Sequence, residues 1–342
     1  MSELIELKSQ WDAFKIENPK VRIRDAAKQL GTTEAELLST AAGSSVTRLR
    51  DEFPEILKAV EPLGKVMALT RNDYCVHERK GVYSNLSFSG PMGLAVNPDI
   101  DLRLFMSAWS SAFAVDENGR KSLQFFAKDG EAIHKIYLAE TSDLAAYETL
   151  VNNFAAKDQY ADLEIVKDPT VVDEKPDAEI DVNAFREKWL TLKDTHAFHG
   201  LLRKFGLTRT QGLRLAPEGH AVMISYDSLK NIFQKAADSN LEIMIFTGNK
   251  GCIQIHTGPV KKLVQAGPWF NVLDPDFNMH LREDGIASVW LVKKPTADGI
   301  VTSIEVFDAE GMIIVQIFGK RKPANPENEH WRLMVNELAV ML

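Results

Sequence analysis

The most restrictive feature of this sequence is an internal repeat. Residues 66–104 align with 243–281 at an offset of 177 and without a gap. Met67, Thr70, Asn72, Cys75 and Gly81 recur as Met244, Thr247, Asn249, Cys252 and Gly258. Gly90-Pro91 recurs as Gly267-Pro268, Pro98-Asp99 as Pro275-Asp276, and Leu104 as Leu281. Past a four-residue insertion, "SLQFFAKDGEAIHKIYL" (122–138) faces "SIEVFDAEGMIIVQIFG" (303–319). Upstream, "LGTTEAELL" (30–38) faces "FGLTRTQGL" (205–213), and Trp11 and Trp189 open the two halves. Two copies of one pattern imply two copies of one fold. The 342 residues therefore divide into an N-terminal repeat, 1–165, and a C-terminal repeat, 182–342. Between them "VKDPTVVDEKPDAEID" (166–181) is acidic, carries two prolines, lacks an apolar period and reads as a linker.

Each half runs from helical segments into a block of strands. "LEIMIFTG", "ASVWLVKK", "TSIEVFDA" and "MIIVQIFG" are short, β-branched and bounded by turn residues. Strands in a block, with helices gathered before them, predict an α+β fold with a large antiparallel sheet flanked by helices in each half. The net charge of −8 gives no general attraction to nucleic acid or to an anionic membrane. No window has the apolar length of a membrane span, and the N-terminus has no signal-peptide pattern. Two cysteines without a CxxC spacing argue against a disulfide scaffold, so a reducing, cytoplasmic setting is expected.

Function is sought where the halves differ. "DTHAFHGLLRKFG" (194–206) predicts a helix with Asp194 as N-cap and Gly206 just past its end. Phe198, Leu201, Leu202 and Phe205 form its apolar stripe, while His196, His199, Gly200 and Arg203 lie on the other side. The corresponding helix of the first half has no histidine. Gly200 costs about 1 kcal/mol against Ala in a helix interior and leaves room for a flat, bulky group. The plain alternative is a solvated face that happens to carry two histidines. Arg103 of the first half faces His280 of the second, and the second half gathers Arg209, Lys293, Lys294, Lys320, Arg321 and Lys322 near strand ends. Cations beside a metal-ligating histidine suit an anionic, metal-bearing ligand. Cys75 and Cys252 are expected as small core residues. His77 and His280 are weaker ligand candidates, and His134, His220, His256 and His330 are expected to be structural or exposed. "RIRDAAKQLGTTEAELL" (22–38) has a helix-turn-helix look, but Glu34 and Glu36 fall where a recognition helix would meet phosphate, which argues against DNA binding.

"DTHAFHGLLRKFGLTRTQGLRLA", "RNDYCVHERKGVYSN" and "PDIDLRLF…W…AFAV" together resemble the HemS/HmuS/ChuS family of bacterial cytoplasmic haem-handling proteins, over essentially the whole chain. The resemblance implies two similar α+β halves and a haem cofactor (iron protoporphyrin IX) in a cleft formed with both. It implies His196 of the D-x-H-x-F motif as proximal iron ligand and Arg103 of "DLRLF" as distal arginine, the two residues that catalysis would use. His199 matches a histidine of some members only, either an alternate iron ligand or a hydrogen-bond partner. Propionate and pocket contacts carry over to Arg209, Lys294, Gln316 and Arg321, with Met244 and Phe246 lining the pocket. Some members have a tyrosine where this chain has Phe318, so one hydroxyl contact is absent here. The function implied is a haem-binding protein of haem uptake and iron acquisition that carries haem to an oxygenase. The alternative is an enzyme that opens the porphyrin and releases iron, which also needs a reductant. No GxGxxG motif follows a strand to supply a dinucleotide fold. A DNA-binding regulator is the minor third reading.

Overall fold

A computed structural model of the chain describes residues 2–166, 174–321 and 325–340. Lys322 and residues 167–173 of the expected linker lie outside the described residues. The helices are α1 (Ser2–Glu17), α2 (Ile23–Leu30), α3 (Glu34–Ser39), α4 (Phe53–Lys58), α5 (Leu144–Phe154), α6 (Val182–Leu190), α7 (Ala197–Phe205), α8 (Arg209–Arg214), α9 (Tyr226–Asp238) and α10 (Glu329–Val340). The first repeat forms strands β1 (Val46–Leu49), β2 (Lys65–Arg71), β3 (Cys75–Val82), β4 (Leu86–Ser89), β5 (Met92–Val96), β6 (Asp101–Phe105), β7 (Trp109–Glu117), β8 (Arg120–Ala127) and β9 (Ala132–Leu138). The second forms β10 (Ala221–Ile224), β11 (Ile243–Gly248), β12 (Cys252–Gly258), β13 (Leu263–Ala266), β14 (Trp269–Leu273), β15 (Phe277–Arg282), β16 (Ser288–Thr296), β17 (Gly299–Phe307) and β18 (Ile313–Gly319). The four strand segments expected from the second repeat are β11, β16, β17 and β18.

The fold is α+β, with two antiparallel sheets of nine strands each. Their orders are β1-β7-β8-β9-β2-β3-β15-β14-β13 and β10-β16-β17-β18-β11-β12-β6-β5-β4. The second order is the first with the repeats interchanged, so each sheet takes six strands from one repeat and three from the other. Among the described residues no helix is long and apolar enough to cross a membrane.

The chain forms two compact units. Unit 1 comprises Met1–Arg71, Glu78–Asp168 and Asn249–Gln254, and unit 2 comprises Asn72–His77, Pro169–Gly248 and Ile255–Leu342. Each unit therefore holds a short piece of the other repeat, where the sequence suggested two contiguous blocks. The residues that recur in both halves explain how. In unit 2, Asn72 Nδ2 donates to the carbonyls of Gly248 (3.2 Å) and Ile314 (2.8 Å), and its Oδ1 accepts the N–H of Tyr74 and Cys75. In unit 1, Asn249 Nδ2 donates to the carbonyls of Arg71 (2.9 Å) and Ile133 (2.8 Å), and its Oδ1 accepts the N–H of Gly251 and Cys252. Cys75 Sγ lies 3.3 Å from Thr247 Oγ1 in unit 2, and Cys252 Sγ lies 3.4 Å from Thr70 Oγ1 in unit 1. Both thiols are fully buried, and burial pushes each up to about 12. They are core residues, as expected.

The α2–α3 segment differs from a DNA-reading hairpin. Glu34 does not face outward: it is 2% exposed and pairs with Arg71 and Lys135. Glu36 closes a capping box with Thr33, and Ala35, Leu37 and Leu38 are buried. The described end of the linker forms a short 3-10 turn, Asp177–Glu179, rather than a free loop. It is tied down because Gln211 Nε2 donates to Lys175 O and Asp177 Oδ1, and Arg214 donates to Glu174 and Asp177.

The core of unit 1 encloses one histidine. His134 is buried, with Thr70 Oγ1 at Nδ1 (2.8 Å) and the Tyr83 hydroxyl at Nε2. Burial pushes this ring down to about 3. The folded protein keeps it neutral, whereas the unfolded chain takes up a proton below its ordinary value of 6.5. The stability it contributes is thus intact above that value and lost as the pH falls toward about 3. Urea unfolding between pH 7 and 4 should lose up to about 1.4 kcal/mol per pH unit through this group. His134→Gln should flatten that slope, and an identical slope in both proteins would assign the acid sensitivity elsewhere.

Candidate functional site

The histidine helix ends as expected and begins later. Gly206 takes the left-handed conformation (φ 64°) that stops α7. The N-cap position is occupied by His196 rather than Asp194. The reason is a local turn: Asp194 O accepts from Ala197 N, Thr195 O accepts from Phe198 N, and Asp194 Oδ1 accepts from His196 N at 2.8 Å. The same oxygen lies 2.7 Å from His196 Nδ1. The His196 backbone N–H is the main cause that lowers the Asp194 carboxyl, helped by the imidazole and by the charge of Arg321.

Phe198, Leu201 and Leu202 are buried and Phe205 is half-buried, so the apolar stripe is the packed face. His199, Gly200 and Arg203 are exposed, and the His196 side chain is 91% exposed. A Cβ built on Gly200 would meet nothing within 4 Å.

The other sheet candidates of unit 2 share one face. Opposed residues of antiparallel strands lie on the same side. Met244 opposes Phe318, Phe246 opposes Gln316, Gln316 opposes Glu305, and Phe318 opposes Ser303. Lys294 opposes Val301, two residues from Ser303, and joins the same face. Alternate residues Ile243, Ile245 and Ile317 fill the core behind. The Phe246 and Phe318 rings meet edge-on with centroids 5.0 Å apart. Met244, Phe246, Gln316 and Phe318 are each half-buried, so the face is closed by aromatic and thioether surface without being sealed.

Beside this surface lies a buried charge cluster that the sequence reading missed. Glu305 is fully buried and accepts from Arg209 Nε (2.7 Å) and Nη2 (2.9 Å), from Lys294 Nζ and from Ser303 Oγ (3.1 Å). Burial alone would raise its carboxyl, but the charges of Arg209 and Lys294 hold it far below the ordinary range. Burial pushes Lys294 down to about 8, against the pull of Glu305. Both cations sit over the Phe198 ring, Lys294 Nζ at 4.7 Å and Arg209 at 5.2 Å, so the cluster is joined to α7. A signal for Glu305 was present: "SIEVF" places an acid where the repeat has Gln124 in "SLQFF".

The remaining candidates fall elsewhere. Arg321 faces Asp298 at 3.7 Å, and Lys320 is tied to Glu242 at 2.8 Å. In unit 1, Arg103 on β6 lies between Leu94 and Ile253, is one-third exposed and pairs with Asp101. His77 is buried against Phe277, His256 is stacked on that same ring, and His280 Nδ1 bonds Asn271 Oδ1 at 2.7 Å.

Fold and site together define a duplicated α+β protein with an exposed imidazole–carboxylate pair at the start of α7 and a half-open aromatic sheet face in the same unit. The family model described as the haemin-degrading HemS.ChuX domain matches residues 31–154 and again 206–338. The hemin transport protein HmuS of Yersinia pestis is 38% identical over 97% of each chain. The crystal structure of holo-PhuS, a heme-binding protein from Pseudomonas aeruginosa, is 48% identical, with a TM-score of 0.95 over 98% of this chain and 99% of that one. The Escherichia coli O157:H7 heme degrading enzyme ChuS is 35% identical, with a TM-score of 0.91 over 98% and 99%. This chain belongs to the HemS/ChuX haemin-degrading domain family.

The two sides of α7 should respond differently to truncation. Phe198→Ala is expected to cost about 3–5 kcal/mol in urea unfolding, and His199→Ala to stay within about 0.5 kcal/mol. Equal losses would mean that the histidine side is packed.

Proposed function

We propose that this chain binds haem, with His196 as the iron ligand. The single observation that carries the reading is the Asp194–His196 pair. A carboxylate on Nδ1 fixes ring orientation and leaves Nε2 free at an exposed position, the arrangement that iron ligation by imidazole requires. The surroundings fit a porphyrin. The open space at Gly200 admits a flat ring, and Met244, Phe246 and Phe318 offer apolar cover. Arg209, Lys294, Gln316 and Arg321 are assigned to the propionates, because charged and amide N–H groups suit carboxylates. His199, one turn from His196 and exposed, is an alternate ligand during haem entry or release. Arg103 is assigned to the distal ligand on its place in the "DLRLF" motif.

The physiological role we infer is that of a cytoplasmic carrier in haem uptake that passes haem to an oxygenase. The relatives named hemin transport and heme-binding proteins support it. The second reading, haem degradation by this chain itself, is supported by similarity to ChuS, also described as an E. coli heme oxygenase. Haem would bring the oxygen and electron-transfer chemistry. The chain would orient the imidazole through Asp194 and present N–H donors to the carboxylates.

Titration of apo-protein with ferric haem should give a saturable one-to-one Soret shift. His196→Ala should weaken binding or move the maximum, with His199 able to replace it in part. An intact spectrum in His196→Ala/His199→Ala would refute the ligand assignment. Reductant in air then separates the roles. A stable Soret band marks a carrier, and Soret loss that catalase does not suppress marks a degrading enzyme.

A further inference from the structure

The cluster on Glu305 is unevenly satisfied. Glu305 accepts four hydrogen bonds, two from Arg209 and one each from Lys294 and Ser303, and is buried without exposure. Arg209 makes its bonds through Nε and Nη2 alone, which leaves its Nη1 edge unused among the described residues. Lys294 has three N–H donors and gives one to Glu305. Two cations against one carboxylate leave the cluster one negative charge short. The two cations also differ in reach, since the Lys294 side chain is 4% exposed and that of Arg209 21% exposed. Phe198 lies beneath both, so neither can swing toward α7.

We propose that Glu305 is a positioning residue that sets Arg209 and Lys294 as a receptor for one further carboxylate, carried by the ligand of this face. Glu305 touches no ligand itself. By clamping the Nε/Nη2 edge of Arg209 it decides that the Nη1 edge is presented, and by holding Lys294 it keeps a second positive charge behind that edge. A half-buried guanidinium with a fixed free edge grips a carboxylate with little ordering entropy left to lose at the moment of binding. The ligand class selected is a flat apolar molecule with an ionised carboxylate at its rim, and an esterified rim is rejected. This inference rests on the haem reading.

The first repeat supports a dedicated role. At the repeat-equivalent of Arg209 stands Glu34, and at that of Glu305 stands neutral Gln124. There the acid is on the helix and its partners, Arg71 and Lys135, are on strands, so the arrangement on unit 2 is not inherited from a shared scaffold.

The test compares ferric haem with ferric haem dimethyl ester, titrated by Soret absorbance into the wild-type chain and into Glu305→Gln, Glu305→Asp and Arg209→Lys. The wild type is expected to prefer the diacid by about tenfold or more, as a charge-assisted bidentate contact would give. Glu305→Gln should bring the ratio close to one, and Glu305→Asp, which keeps the charge, should restore most of it. The Soret maximum of the bound fraction reports the iron ligand separately. A wild-type ratio kept by a folded Glu305→Gln overturns the inference and leaves haem binding standing. The absence of any wild-type Soret shift overturns the haem reading, and the inference with it. Should circular dichroism show Glu305→Gln unfolded, Arg209→Lys decides. Lysine cannot clamp one edge and present another, so an unchanged ratio there overturns the inference and a collapsed ratio supports it.

Discussion

Two asparagine side chains, Asn72 and Asn249, hold backbone that the strand ladders leave unpaired. Each closes a tight turn on itself through Oδ1 and donates through Nδ2 to two carbonyls of the compact unit in which it sits. An amide can do this because it carries two donors and an acceptor on one short, rigid arm. The thiols three residues on, Cys75 and Cys252, are small enough to be buried behind these turns and bond a repeat-equivalent threonine. The exchange of strands between the sheets, six from one repeat and three from the other, runs through the strands that begin at these turns. Whatever the second repeat does chemically is built on that framework.

Upon the shared framework, the repeats have opposite buried electrostatics. Thr33 and Thr208 cap equivalent helices, and Gly31 and Gly206 stop the equivalent helices before them. The residue after each cap then changes sign, Glu34 against Arg209. In unit 1 the helix brings the acid, and strand residues Arg71 and Lys135 answer it. In unit 2 the helix brings the base, and Glu305 answers it, with Lys294 added. A buried charge without a partner is expensive, so each inversion had to be matched inside its own unit. Unit 1 also encloses the His134–Thr70–Tyr83 network, where the second repeat has Val315 at the position of the histidine and Val260 at that of the tyrosine. The polar core of unit 1 is closed on itself, whereas the charge cluster of unit 2 lies beside a half-open face.

Much of this was legible in the residues. Period-two and helical patterning located β11, β16, β17, β18 and α7, because burial on one side dictates which side chains must be apolar. The exposed histidines and the Gly206 stop followed from the same logic. The N-cap did not, since Asp194 has two competing uses, helix capping and a turn that also holds the imidazole, and sequence cannot rank them. Nor was Glu34 legible: an acid early in a helix looks solvated until its two cations, distant in sequence, are brought against it.

By itself the sequence determined a duplicated α+β chain, its strands and helices, and a histidine face present in one repeat only, all of which are local patterns of period and composition. Tertiary structure decided the rest. The exchange of strands between sheets depends on pairings of residues more than a hundred positions apart, such as Cys252 with Leu104. The partners of Arg209 and Lys294 were likewise set by strand register, which places Glu305 on the same face and in reach. No local period encodes which buried cation meets which buried carboxylate, because that is fixed only when distant strands are brought together and every buried charge must be answered.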